Sequence, residues 1–292
     1  MKIEFLNTLD AILRVGSFAR AGAEVGLTPS AVSLQVRRLE EYLGQPLFDR
    51  SARNARPLPF AIELASTMRG ALQAIEAARF QATPAVSGRV VVGAIRTVQS
   101  TALPAALRSI GERYPELTVR AVQGDSVELL QQLQAGLIDA AVVIRPSAGG
   151  SSRLLWHNLE RQQYVFVAPP DTGSLGIEQL IKRYSWIQFD TSLSGGSVAA
   201  KYLARIAPRT RAKFELESIE AIHAMVSAGW GVSVLPKLRS LMNTAYPVRQ
   251  ISLGNQSPAR QIAFVCRKFD KDNRKVVALK EAFVDSFARL EA

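Results

Sequence analysis

The sequence predicts an all-α winged helix-turn-helix at the N-terminus, then a linker helix, then a C-terminal α/β module in two lobes. Three observations carry that expectation. Residues 17–53 read as two short helices around a tight turn, with a small basic segment behind them. Residues 60–82 hold no Pro and one Gly, and their apolar positions recur every three or four residues. From Arg89 onward, apolar strand-like runs alternate with helical ones. At 292 residues, 48% apolar and 21% charged, the chain is globular in character and long enough for two or three modules. The expected boundaries are 1–59, 60–87 and 88–292. Within the last, one lobe takes about 88–162 with 267–292, and the other about 163–266.

Phe5, Leu6, Leu9, Ile12 and Leu13 share one face of a first helix that should stop at Gly16. Ser17 is placed to cap a second, which carries Phe18, Gly22 and Val25 on its inner face. A glycine weakens a helix by about 1 kcal/mol, so Gly22 points to a close crossing that needs a small side chain. After Gly26, Thr28 at the N-cap and Pro29 behind it form a strong start signal for a third helix. With successive residues about 100° apart, Val32, Val36, Leu39 and Leu43 turn inward, while Ser30, Leu34, Arg37, Arg38 and Glu41 turn outward. Ser33 flanks the outer face, and Gln35 lies nearer the inner one. Such a unit lays its last helix in the DNA major groove, where residues near the helix start read base edges; Ser30, Ser33 and Leu34 stand there. Leu34 is odd on a solvated face but suits a thymine methyl group. Beyond Gly44, Arg50, Arg53 and Arg56 can reach phosphates or a minor groove. The pattern alone also admits a small helical bundle with a solvated charged face.

In the linker stretch, Leu64, Met68, Ala71, Ile75, Ala78 and Ala82 step by four and three, an a/d seam that needs a partner. A second copy of the chain is favoured over packing within one chain, since two reading helices suit paired DNA half-sites. Thr83, Pro84, Ser87 and Gly88 mark the exit. The strands expected beyond are 89–95, 117–123, 138–144, 163–168, 185–189, 212–217, 231–235 and 260–267, with helices between them. Their Val, Ile and Ala content without polar alternation predicts parallel sheets covered on both faces. Asp125 with Glu128 forms a capping box. Two chain crossings, near Arg161–Gln163 and Val265–Arg267, would make a hinge with a ligand cleft beside it.

The run SFARAGAEVGLTPSAVSLQVRRLEEYLGQPLFDR resembles the N-terminal signature of LysR-type transcriptional regulators, through its G-S-F, T-P-S-A-V-S, L-E-x-x-L-G and P-L-F-x-R pieces in order. GRVVVGA, L-P-x-x-L at 103–107, GLIDAAV and VSAGWGVSVLP extend the resemblance over nearly the whole chain. It implies a periplasmic-binding-protein-like effector domain, homodimers or tetramers, double-stranded DNA as partner, and RNA polymerase as a further one. It implies base or phosphate contacts at Pro29, Ser30, Ser33, Leu34 and Gln35, and a minor-groove role for Arg53. Together with Thr28, Arg37, Arg38 and Arg50 these are the DNA-binding candidates. The chain departs from the family in carrying Leu34 at an often basic position, and Leu58-Pro59-Phe60-Ala61-Ile62 where L-T-x-A-G is usual.

For the cleft, Arg96-Thr97-Val98-Gln99 leads into a helix start whose N–H groups could hold an anion, and Thr97 falls where the family places a ligand-binding Ser or Thr. Asp125 either caps its helix or repels carboxylates, the cap being favoured. Ser194, Gly195 and Ser218 stand at other helix starts, and Arg145 ends the third strand as a candidate counter-ion. Arg96, Thr97, Gln99, Asp125, Arg145, Ser194, Gly195 and Ser218 are therefore the effector candidates, for a small and anionic co-inducer; no cofactor is expected.

The net charge of +11 is weak support for DNA binding, because residues 1–82 hold ten Lys/Arg against eight Asp/Glu. Residues 201–213 carry five Lys/Arg and no acid, read as a solvated face, a subunit contact or a second patch near DNA. A single Cys266 and no long apolar run fit a cytoplasmic protein without disulfide or membrane span. Enzyme readings fail: only His157 and His223 offer imidazoles, Asp171-Thr172-Gly173-Ser174 is one turn rather than a carboxylate pair, and no P-loop or metal spacing occurs. Two functions remain: a regulator whose DNA binding answers to a small effector, or a ligand-independent repressor or architectural protein whose C-terminal module only assembles subunits.

Overall fold

The computed structural model describes residues 2–49, 56–79, 86–146, 151–192, 194–237, 244–254 and 257–291. α1 (Ile3–Val15), α2 (Phe18–Val25) and α3 (Pro29–Leu43) pack around Leu9, Ala21, Val32, Val36 and Leu39, all buried. The capping residues do what their chemistry suggests. Ser17 Oγ accepts the Arg20 N–H at 3.5 Å, and Thr28 Oγ1 accepts the Ala31 N–H at 3.3 Å. Gly26 ends α2 at φ +71°, the left-handed conformation that the turn into α3 requires. Gly22 is pressed against that turn: a Cβ there would lie 2.6 Å from the Leu27 carbonyl oxygen. β1 (Phe48–Asp49) pairs with β2 (Arg56–Pro57) as a two-stranded wing. Its base is held by Glu40, whose Oε1 accepts the N–H groups of Leu47 at 2.9 Å and Phe48 at 3.3 Å.

α4 (Pro59–Arg79) follows. Ala61 and Ala65 are buried, and Leu64, Met68 and Leu72 pack against the three-helix core. The first part of the expected seam is thus used within the chain, because Leu64 and Met68 lie on the same helical face as Ala61 and Ala65. Ala71 and Ile75 remain exposed. Among the described residues no helix is long and apolar enough to cross a membrane.

The remaining chain forms two lobes sharing one long strand. Lobe 1 holds β3 (Gly88–Ala94), α5 (Arg96–Thr101), α6 (Leu103–Arg113), β4 (Leu117–Gln123), α7 (Ser126–Gln134), β5 (Ala140–Ile144) and the first part of β6 (Leu154–Ala168). β3 runs parallel to β4 and β5, as expected. Lobe 2 takes the rest of β6, then α8 (Ile177–Arg183), β7 (Trp186–Phe189), α9 (Ser194–Ile206), β8 (Ala212–Leu216), α10 (Ile219–Ser227), β9 (Ser233–Pro236) and β10 (Arg249–Ser252). The chain then returns through β11 (Ala259–Arg267) to α11 (Arg274–Glu291), which lies on lobe 1.

Two expectations are corrected. The sheets are mixed, since β6, β9, β10 and β11 pair antiparallel. The return crossing lies before Ala259 rather than near Val265–Arg267, because β11 pairs along its length with β5 and with Leu154–Gln163 of β6. The two crossings are tied together: Tyr164 N–H donates to Pro258 O at 2.9 Å, and Ser257 Oγ donates to Tyr164 O at 2.7 Å.

His223 on α10 is buried, with Nδ1 left without a hydrogen-bond partner among the described residues. Burial pushes its pKa below 6.5, outweighing the field of Glu220. The stability it supports is therefore complete above pH 6.5 and is lost as pH falls from there toward its own lowered pKa, because the unfolded chain takes the proton first. The Tm should drop between pH 7 and 5 in the wild type and drop less in His223→Leu. Parallel pH profiles of the two proteins would refute this.

Candidate functional site

Two surfaces collect the sequence candidates. On α3, the first-turn residues Pro29 and Ser30 are exposed with Leu34, Arg37 and Arg38, and Thr28 is exposed before them. Ser33 is half-buried at the margin. Leu34 keeps half of its surface, an apolar side chain with Ser30 on one side of it along the helix and Arg37 and Arg38 on the other. Gln35 departs from this set: it is half-buried, and its Oε1 accepts the hydroxyl of Thr8 on α1 at 2.6 Å. Its position beside Val32 and Leu39 turns it toward the domain's own core. Arg50 and Arg53 lie outside the described residues, as do Thr83 and Pro84, and the side chain of Ala78 is not among those described.

The other surface is a cleft of about 440 Å³ between the lobes. Four candidates line it: Arg96, Thr97, Asp125 and Gly195. Asp125 is the cap it was expected to be, accepting Val127 N–H at 2.7 Å and Glu128 N–H at 2.9 Å. Gly195 must be glycine, since a Cβ would sit 2.7 Å from the Phe189 ring. Three other candidates, Gln99, Arg145 and Ser218, are not among the described residues that line the cleft. Gln99 turns its amide to the Ala94 carbonyl. Arg145 is exposed, donating to Asn158 at 2.9 Å and lying over the Trp156 ring. Ser194 opens α9, and its side chain is not among those described. Ser218 caps α10 through the Ala221 N–H and donates to Glu220 at 2.9 Å. The expected anion-holding helix start is short and partly used within the chain. α5 has six residues, and Val98 and Gln99 N–H groups are bonded to Ile95 O.

What does line the floor is Arg260, 6% exposed, at the start of β11 beside the crossing. Its Nε donates to Gln162 Oε1 at 2.8 Å and its Nη2 to Thr97 Oγ1 at 3.2 Å. No carboxylate pairs with it among the described residues, and its Nη1 has no partner there. Burial lowers its pKa, opposed by the fields of Tyr164, Glu160 and Glu220, but a guanidinium stays charged at neutral pH. A buried, unpaired cation in a cavity is costly unless something anionic completes it.

The comparisons with known proteins fit both surfaces. The model for the bacterial regulatory helix-turn-helix protein, lysR family, matches residues 3–61, and the LysR substrate binding domain matches residues 84–288. The chain belongs to the LysR family of transcriptional regulators. The HTH-type transcriptional regulator AbaB of Streptomyces antibioticus is 30% identical over 251 residues, 81% of this chain and 82% of that one. DgdR of Burkholderia cepacia is 27% identical over 236 residues, 80% and 78% of the two chains. A full-length OxyR variant from Pseudomonas aeruginosa has a TM-score of 0.79 at 21% identity, covering 97% of this chain and 94% of that one. LysG from Corynebacterium glutamicum, solved with bound effector arginine, gives 0.69 at 19%, covering 99% of each. At such identities the structural likeness speaks to the fold.

This LysR-type regulator therefore joins a DNA-binding domain to an effector-binding domain. Reasoning from the sequence missed its central cleft residue, Arg260, and the cleft carboxylates Glu217 and Glu220. A signal for Arg260 existed: it shares strand parity with Ile262, Phe264 and Cys266, so its charge had to face covered space.

Proposed function

We propose that this LysR-type regulator reads DNA as a dimer through the exposed start of α3, and that a small molecule seats an anionic group on Arg260 and Thr97 to modulate that binding. The carrying observation is the buried Arg260 guanidinium, open on one side to the cleft and without a carboxylate partner among the described residues. A C-terminal module serving assembly alone has no use for such a group. The exposed Ala71 and Ile75 of α4 are the part of the seam left for a second copy, and RNA polymerase is a further partner for the assembled dimer. Thiol-based sensing does not fit: Cys266 is buried, and burial with the Asp270 charge pushes its pKa up to about 11, far from a reactive thiolate. The basic stretch 201–213 behaves as a solvated face, its five cations exposed and two of them leaning on Tyr202 and Phe214.

The reading of DNA is tested by footprinting and salt titration. Ser33→Ala should weaken specific binding about tenfold, with little change in salt slope, since a base contact carries no counterion. If Leu34 meets a thymine methyl, uracil at one operator position should lower affinity about threefold to tenfold. Unchanged affinity for both would refute the docking. The effector reading is tested by thermal shift of the full-length protein against a carboxylate and phosphate panel. A stabilising compound whose effect persists in Arg260→Gln would place the anion elsewhere.

A further inference from the structure

The charges around the cleft do not suit an effector that is only an anion. Against Arg96 and Arg260 stand four carboxylates: Asp125, Glu128, Glu217 and Glu220. Asp125 and Glu128 are occupied with each other's backbone in the capping box at the start of α7. Glu217 and Glu220 are different. Both belong to lobe 2, at the approach to α10 and in its first turn. Glu217 is exposed and has no hydrogen-bond partner among the described residues. Glu220 is half-buried and accepts from Ser218 at 2.9 Å, and from Ser100 of lobe 1 at 3.4 Å. Glu220 lies within the field of Arg260, yet no ion pair joins them. A cation site on lobe 1 and an anion site on lobe 2 thus face one cavity with a gap between them.

An anion entering alone would satisfy Arg260 while bringing its charge toward Glu217 and Glu220, which is repulsive at close range. A molecule carrying both signs meets both walls. We infer that the effector is a zwitterion of the α-amino-acid class, its carboxylate on Arg260 and Thr97 and its ammonium on Glu220 and Glu217. This rests on the reading of Arg260 as the anion seat and adds the second half of the site. It also makes the ligand a bridge between the lobes, with specificity set by two charges at a fixed separation. A ligand lacking the carboxylate leaves the buried Arg260 uncompensated, and one lacking the ammonium forgoes the attraction of Glu217 and Glu220.

The test uses the full-length protein and three matched panels: the proteinogenic L-amino acids, the 2-oxo acids with the same side chains, and the amines left by removing the carboxylate. Thermal shift identifies binders and isothermal titration measures them. An amino acid should bind at least about tenfold more tightly than its 2-oxo acid or amine counterpart. Glu220→Gln and Glu217→Gln should each reduce that preference to about threefold or less, by weakening the amino acid and not the oxo acid. Glu217 is exposed, so its variant answers even if Glu220→Gln fails to fold. A 2-oxo acid binding as tightly as the amino acid, or a preference that survives both Gln variants, overturns the zwitterion while leaving the anion seat intact. Binding that Arg260→Gln does not weaken overturns the anion seat as well. Silence across all three panels overturns the zwitterion.

Discussion

Replacing Arg260 by Gln should lower the affinity of the cleft for a carboxylate-bearing ligand by at least about thirtyfold, the scale of removing one partner from a buried charge pair. The expectation follows from how the guanidinium is held. Nε is fixed on Gln162 at 2.8 Å and Nη2 on Thr97 at 3.2 Å, so the planar group presents its remaining corner without rotational freedom. A ligand carboxylate meets a donor already desolvated and oriented, so little ordering cost remains at binding. Arg260→Lys should not restore the affinity, because a compact ammonium with three tetrahedral donors does not reproduce the planar fork that reaches Gln162 and Thr97 from two separate nitrogens. Isothermal titration with the most stabilising member of the anion panel decides it. A Lys variant as good as wild type would show that charge alone matters there.

The largest effect on the DNA-binding domain is expected from Gly22→Val. At this position the obstacle is backbone: the Leu27 carbonyl oxygen lies 2.6 Å from where a Cβ would be, and Val32 Cγ2 lies at 3.4 Å. The same turn is closed by Leu27 N–H donating to Gly22 O at 2.8 Å, so relieving the clash breaks the bond that sets α3 on α2. A loss of about 3 kcal/mol or more in the stability of this domain is expected, at the upper end of overpacking effects. Gly22→Ala should cost less, because better helix propensity returns about 1 kcal/mol. Calorimetry should show the transition of the N-terminal domain moved or missing and that of the effector domain retained, since their cores are separate clusters. DNA binding should be lost. Wild-type melting of Gly22→Val would contradict the close crossing.

Gly22 also shows why the N-terminal domain was legible in the sequence. Its helices are short and locally punctuated, so caps at Ser17 and Thr28 and stops at Gly16, Gly26 and Gly44 fix their ends from neighbouring residues alone. The effector domain was legible in its central strands and not at its edges. No strand is expected over 154–162, which mixes polar with apolar residues because in lobe 1 it is an edge strand, paired with β11 alone. Its continuation at Val165–Ala168 is covered by β9 and β10 on either side and is wholly buried. One strand therefore carries two compositions, and only the buried half has the apolar run of a strand. α4 misled for a related reason: a three-four repeat says that a helix face is covered, not what covers it. Arg260, Glu217 and Glu220 come from distant stretches of chain, and their meeting depends on the two crossings.

β6 runs through both lobes without interruption, and its two ends are clamped by different neighbours. A joint of that kind does not swing like a door. Any change in the angle between the lobes has to pass through it as a twist where one clamp gives way to the other. Gln162, which holds Arg260, lies at that changeover, next to Tyr164 and the returning chain at Ser257–Pro258. A ligand seated on Arg260 would therefore act on β6 at the point where its partner changes from β11 to β9 and β10. The motion available to such a device is a small rotation between lobes, delivered to whatever surface the lobes present to a second subunit.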